Sequence, residues 1–152
     1  MATTLAPLTK TELAGRIRAA VASHIVDSTG GEASSAAIYT LADPRDLAAV
    51  RYVGQTRGPR RRLAQHLSAA RLWMPDEIPW WIASPRLRPL YEWIRELHRD
   101  DHRLPVMVIA EWVARVSDAR SAERALIERC RRQGCALLNV EAERAGPQLP
   151  LL

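Results

Sequence analysis

The chain predicts an α+β domain: a small, mainly antiparallel three-stranded sheet flanked by helices, with an extra helix at the N-terminal end. Three observations predict it. Ala36-Ala37-Ile38-Tyr39-Thr40-Leu41 is a short β-favouring run that turns at Asp43-Pro44-Arg45-Asp46 and returns as Ala49-Val50-Arg51-Tyr52-Val53-Gly54, which makes a hairpin. Pro105-Val106-Met107-Val108-Ile109-Ala110 is a near-continuous apolar run, as expected of a central strand buried on both faces. Around these runs, apolar residues recur at helical spacing. At 152 residues the chain suits one domain with its own core, and a hydrophobic content of 47% is ordinary for a globular protein. The natural divisions are residues 1–31 as a helical extension and linker, 32–140 as the main domain and 141–152 as a tail.

In chain order, Thr9 and Glu12 form a capping box, after which Leu13, Ile17, Ala20, Val21 and His24 make one helical stripe. The helix is expected to stop at Ser28-Thr29-Gly30-Gly31. Its stripe must cover something, either the core or a second copy of the chain, and His24 reads as a packing residue on it. The hairpin follows. Gly58-Pro59 then opens a helix with proline in the first turn, where its missing N–H costs little. Leu63 and Leu67 form that helix's buried stripe and leave Arg62 and His66, four apart, on a neighbouring one. Residues 71–85 interleave Trp73, Trp80 and Trp81 with Pro75, Pro79 and Pro85, a spacing that argues against a continuous helix. Leu87, Leu90, Tyr91, Ile94 and Leu97 stripe another helix that ends near Asp100-Asp101. After the apolar strand the chain turns at Ser117-Asp118, and a last helix ends at Gly134, a good C-cap.

The formal net charge is +5, which favours a polyanionic partner. Lys10 is the only lysine, so nearly all positive charge is arginine, whose fork matches phosphate; GC-rich codon usage is the competing explanation. No run of about 18 apolar residues exists, so no membrane partner is expected. The first residues lack a signal peptide's apolar core, and Cys130 and Cys135 are too few for a disulfide framework. Both features lead to an expectation of a cytoplasmic protein with reduced thiols. With His98 and His102 the two cysteines have zinc-compatible spacing, against which Cys130 reads more simply as a small apolar packing residue.

Arg57, Arg60, Arg61 and Arg62 crowd one helix N-terminus, where the dipole also favours anions, and this is the expected phosphate-binding surface. Trp80 and Trp81 are candidates to stack on unpaired bases or wedge a duplex, although in a chain with no Phe they also serve as core fillers. Glu123 shares its helix face with Ile127 and Cys130. A carboxylate directed at a core is costly unless it is paired, with Arg62 for instance, or bound to metal.

These residues fall in a recognisable order. Ala37-Ile38-Tyr39, Tyr52-Val53-Gly54, Arg62 with His66, Glu123 with Ile127, and Leu137-Leu138-Asn139 together resemble the GIY-YIG endonuclease family. The match covers roughly Ala36 to Asn139, with Ala37 in place of the family's first glycine and a longer Tyr39-to-Tyr52 connection. The resemblance implies divalent-metal-dependent endonucleolytic cleavage of DNA, leaving 5′-phosphate and 3′-hydroxyl ends, with RNA left open as a substrate. It implies a catalytic set of Tyr39, Tyr52, Arg62, His66, Glu123 and Asn139. Glu123 would be the ligand of Mg²⁺ or Mn²⁺, an ion that keeps most of its waters and needs only one or two carboxylates. Arg62 would stabilise transition-state charge, His66 or Tyr39 take the water's proton, Tyr52 orient the phosphate, and Asn139 act as an orienting hydrogen-bonder. The competing expectation is a catalytically inactive nucleic-acid-binding or structural module that retains the fold.

Overall fold

The computed structural model describes residues 8–74 and 77–140. The first helix, α1 (Lys10–Ser23), starts on the expected box: Thr9 Oγ1 accepts from the Glu12 amide at 3.1 Å while Glu12 Oε1 accepts from the Thr9 amide at 3.3 Å. It ends sooner than the stripe suggests. Ile25–Asp27 leave the helix to form a short strand, β1, parallel to the strand at 106–113, and the His24 carbonyl accepts from the Met107 amide at 2.8 Å. Ile25 and Val26 are β-branched and resist helix, and an open parallel strand edge gives their backbone partners.

The hairpin forms as expected from β2 (Ala36–Ala42) and β3 (Val50–Thr56), with Tyr39 opposite Gly54. Its turn is held by Asp43, which accepts from the Arg45 amide at 2.8 Å and pairs with the Arg45 guanidinium. The apolar run at 105–110 forms β4 (Val106–Val113), antiparallel to β2. The sheet is therefore four-stranded and mixed, in the order β1-β4-β2-β3, and the expectation of three strands is corrected by β1. The strand buried along its whole length is β2, which lies between two layers of helix.

One layer packs α1, α2 (Pro59–Ala69) and α3 (Arg88–Asp101) against Tyr39, Leu41 and Met107. The other packs α4 (Ala119–Arg132) against Ala36, Ile38, Val53 and Val113, with Cys130 buried among them. The stripe of α1 thus covers the core, with Ala20 and Val21 buried and Ile17 packed beside them. Between α2 and α3 the described residues of the proline-rich stretch carry a 3₁₀ turn at Trp80–Ala83. After α4 the chain reverses at Gly134, whose φ of +83° suits glycine. It then returns along β3, where the Leu138 amide donates to the Arg51 carbonyl at 2.6 Å.

Candidate active site

Tyr39 points from the centre of the sheet toward α2, and the fold makes room for it at Gly54. A Cβ added there would sit 2.5 Å from Tyr39 Cζ and its hydroxyl, so the ring lies across β3 where only glycine permits it. One helical turn of α2 then delivers Arg62 and His66 to the same ring. The Tyr39 hydroxyl is 2.8 Å from His66 Nε2, and Arg62 Nε donates to the Tyr39 oxygen at 3.4 Å. Arg62 is held further by donating to Gln65 Oε1 at 3.3 Å. On its far side, His66 Nδ1 lies 3.3 Å from the hydroxyl of Tyr91 on α3. Tyr39 and His66 are completely buried.

Burial governs the charge of this cluster. It lowers the His66 pKa to about 3, with the Arg62 charge adding to the effect, so the imidazole is neutral at physiological pH. Burial also raises the Tyr39 phenol well above its ordinary value, with Tyr52 adding and Arg62 opposing. Tyr52 is raised by burial as well, pulled back by the Arg62 charge and pushed up by that of Glu123. Tyr52 thus feels both the guanidinium behind it and the carboxylate in front. Its ring centroid is 6.3 Å from Tyr39 and 5.9 Å from His66.

In front of Tyr52 opens a cleft of about 580 Å³, walled by β3, α4, the start of α3 and the C-terminal return. Tyr52, Gln55, Glu123 and Asn139 line it. Glu123 is half-buried and accepts from Gln55 Nε2 at 2.7 Å, so its hydrogen-bond partner is an amide where Arg62 was expected. Asn139 does what a neighbouring strand would do: its Oδ1 accepts from the Val53 amide at 2.9 Å and its Nδ2 donates to the Val53 carbonyl at 2.8 Å. It ties the C-terminal return to β3. Of the six residues expected to share one cleft, Tyr52, Glu123 and Asn139 do so, while Tyr39, Arg62 and His66 form the buried cluster behind Tyr52.

The cleft's cations are Arg86, Arg120 and Arg124. Arg60 and Arg61 line a separate, largely apolar groove with Ala14, Ile17 and Arg18 of α1, and Arg57 is exposed just before α2. Trp81 is a core residue, fully buried, with its indole N–H donated to the Ala69 carbonyl at 2.6 Å and its ring 5.7 Å from Tyr91. Contact with a base is closed to it. Trp80 is exposed. Sequence reasoning missed Tyr91, Gln55, Arg86, Arg120 and Arg124; the readable signal was Arg120 and Arg124, four apart around Glu123 on α4. Cys130 is buried in the α4 layer, and among the described residues no three His, Cys, Asp or Glu side chains group together, as a site built wholly from such side chains, like that of zinc, requires. That removes the His98, His102, Cys130 and Cys135 zinc arrangement among those residues. Also among them, no helix is long and apolar enough to cross a membrane. No protein-family model, curated protein or solved structure matches the chain.

Proposed function

We propose that the chain is an endonuclease that hydrolyses phosphodiester bonds of DNA, leaving 5′-phosphate and 3′-hydroxyl ends. The observation that carries this reading is the buried Tyr39–His66 pair, with half-buried Arg62 donating to Tyr39, backing through Tyr52 onto a cleft that holds Glu123, Glu128 and three arginines. Such a cleft suits an anion. Arg86 and Arg120 grip phosphates beside the scissile one, and Arg124 lies with them. The Tyr52 hydroxyl, protonated at neutral pH, donates to the scissile phosphate, and the guanidinium of Arg62 stabilises the charge that builds there.

The donor set fits a hydrated Mg²⁺ or Mn²⁺: Glu123 supplies a carboxylate, Gln55 beside it an amide oxygen, and water the rest. When bound, the ion supplies Lewis acidity and a more acidic water. Tyr39 is fully buried behind Tyr52, so the Tyr52 ring must swing aside for the attacking water to hand its proton to the Tyr39 oxygen, whose own proton passes to His66 Nε2 across 2.8 Å. His66 is neutral at physiological pH, so its lone pair is open, but burial first and the Arg62 charge second oppose protonating it. An incoming phosphodiester offsets the second of these, the Arg62 charge. Hydroxide oxygen bonds to phosphorus, the bond to the 3′ oxygen breaks, and that oxygen takes a proton from solvent.

The complete burial of Tyr39 and His66 also suits a second reading, a nucleic-acid-binding module without activity. Labelled duplex, branched and single-stranded DNAs, and RNA, incubated with Mg²⁺ or with chelator, separate the two. Metal-dependent cleavage, lost in Tyr39→Phe, supports the nuclease. Salt-sensitive binding with no cleavage in either Mg²⁺ or Mn²⁺ leaves the binding module.

A further inference from the structure

Tyr91 has no place in the catalytic set, yet it contributes the second of two hydroxyls that clamp the His66 ring. The ring is sealed, with Tyr39 from β2, Tyr52 from β3, Arg62 from its own helix and Tyr91 from α3 as the titratable or charged groups around it. A neutral imidazole has one N–H and one lone pair. The hydrogens along the chain Tyr39–His66–Tyr91 must therefore run one way. Either Tyr39 donates to Nε2 and Nδ1–H donates to Tyr91, or Tyr91 donates to Nδ1 and Nε2–H donates to Tyr39.

The Arg62 contact and the distances together choose between them. A hydroxyl donor generally makes a shorter bond than an N–H donor. The contacts are 2.8 Å at Nε2 and 3.3 Å at Nδ1, the order expected with Tyr39 as donor and Nδ1 as the protonated nitrogen. Arg62 Nε has no acceptor to offer and donates to the Tyr39 oxygen at 3.4 Å, so the phenol's hydrogen is directed to His66. This tautomer is the minor one of free imidazole in water, so something in the protein must select it. Tyr91 is the group touching Nδ1. Tyr91 is buried, with its ring packed 5.7 Å from Trp81, which is in turn pinned by its bond to Ala69.

We propose that Tyr91 is a positioning residue: its hydroxyl oxygen accepts from His66 Nδ1–H, fixes that tautomer, and thereby keeps Nε2 open to receive the Tyr39 proton. Its catalytic consequence rests on the endonuclease reading; the tautomer itself does not. Proton balance follows directly. Water loses a proton to the Tyr39 oxygen, the phenol's original proton crosses to Nε2, and the imidazolium keeps its Nδ1–H on Tyr91. With the opposite tautomer Nε2 is already protonated and the transfer is blocked.

The test is two-bond ¹H–¹⁵N correlation on the full chain labelled with ¹⁵N-histidine, the His66 signal being assigned by its loss in His66→Gln. The wild type is expected to show the Nδ1–H pattern near pH 7, and Tyr91→Phe to convert it to Nε2–H. In the same Tyr91→Phe protein, kcat for DNA cleavage should fall on the order of tenfold or more while KM stays within about twofold. An Nε2–H pattern in the wild type overturns the proposal, and that spectrum decides alone should Tyr91→Phe not fold. Persistence of Nδ1–H in a folded Tyr91→Phe protein overturns it as well. A wild type that shows Nδ1–H but cleaves no nucleic acid keeps the tautomer assignment and removes the nuclease reading instead.

Discussion

The pocket around His66 and the cleft around Glu123 adjoin through a single ring, that of Tyr52, and they are built on opposite principles. The first is dry. Every polar group that touches His66 there is a neutral hydroxyl, and the one nearby charge, Arg62, is tied to Tyr39 and Gln65. The second is open and ionic, lined by Glu123 and Glu128 together with Arg86, Arg120 and Arg124. Burial decides what each can do. In the dry pocket the charged form of a side chain is penalised, so its groups rest neutral and the imidazolium of the proposed transfer is short-lived. In the cleft, charge is tolerated, so that is where an ion and phosphates are held.

The sharpest way to break this division is at Glu123. Glu123→Gln removes the cleft's anchored charge but can keep a hydrogen bond with Gln55, now amide to amide. Cleavage in Mg²⁺ should fall on the order of 10³-fold, while chemical denaturation shows a stability change within about 0.5 kcal/mol, as for a partly exposed side chain. Full activity in the folded variant would show that no ion depends on this carboxylate. A loss of stability on the order of 3 kcal/mol would instead make Glu123 half of a buried ion pair.

The pocket is probed next, at Gly54. Gly54→Ala places a methyl 2.5 Å from the Tyr39 ring, and β3 backbone cannot yield without breaking its pairing to β2. The expected cost is about 1–3 kcal/mol of stability, together with loss of cleavage because Tyr39 is pushed from His66. A stable and active Gly54→Ala protein would mean that Tyr39 can move freely, and the clamp on His66 would lose its meaning.

A third test uses pH. The folded pKa of His66, about 3, lies below its ordinary 6.5, so between those values the unfolded chain binds a proton that the native state refuses. Stability contributed by His66 is therefore complete above pH 6.5 and falls as pH drops toward 3, by up to about 1.4 kcal/mol per pH unit. Denaturation between pH 4 and 6.5 avoids most of the response of Asp27 and Asp43, whose pKa values are lowered from 3.8 by hydrogen bonds from Thr29 and Arg45 respectively. His66→Gln should reduce the slope in that window and leave the smaller part contributed by His98, whose pKa burial also lowers. An unchanged slope would place the responsible proton elsewhere.

The contrast also explains which parts of the molecule could be read from the sequence. Periodicity made the hairpin, the helix of Arg62 and His66 and the apolar strand legible, because each buries a face with a regular period. The three residues of β1 have no period to show; they pair with β4 only once the rest of the sheet exists. In the site, Tyr39, His66 and Arg62 were found by spacing along the chain. Tyr91 was read as one more member of an apolar stripe, since a hydroxyl directed inward looks the same in sequence as a ring that fills space. Asn139 was expected to act as an orienting hydrogen-bonder, and its two bonds to Val53 give it the work of a strand neighbour. The arginine cluster at 57–62 drew attention by density, yet only Arg62 turns toward the Tyr39 ring.

That last distinction gives the smallest effect. If phosphates lie in the cleft, Arg86→Ala with Arg120→Ala removes two contacts, and the slope of log Kd against log salt should fall by about 2 units on duplex DNA in the absence of metal. Arg60→Ala with Arg61→Ala removes the same formal charge from the groove beside α1, outside the cleft. A general electrostatic attraction would lower affinity similarly in both pairs, so affinity at one salt concentration decides nothing. The slope does, because it counts the counterions released by phosphates actually touched. Titrations at four or five salt concentrations should therefore give a reduced slope for the Arg86/Arg120 pair and the wild-type slope for the Arg60/Arg61 pair. The reverse result would move the nucleic acid onto the N-terminal end of α2 and leave the cleft without its substrate.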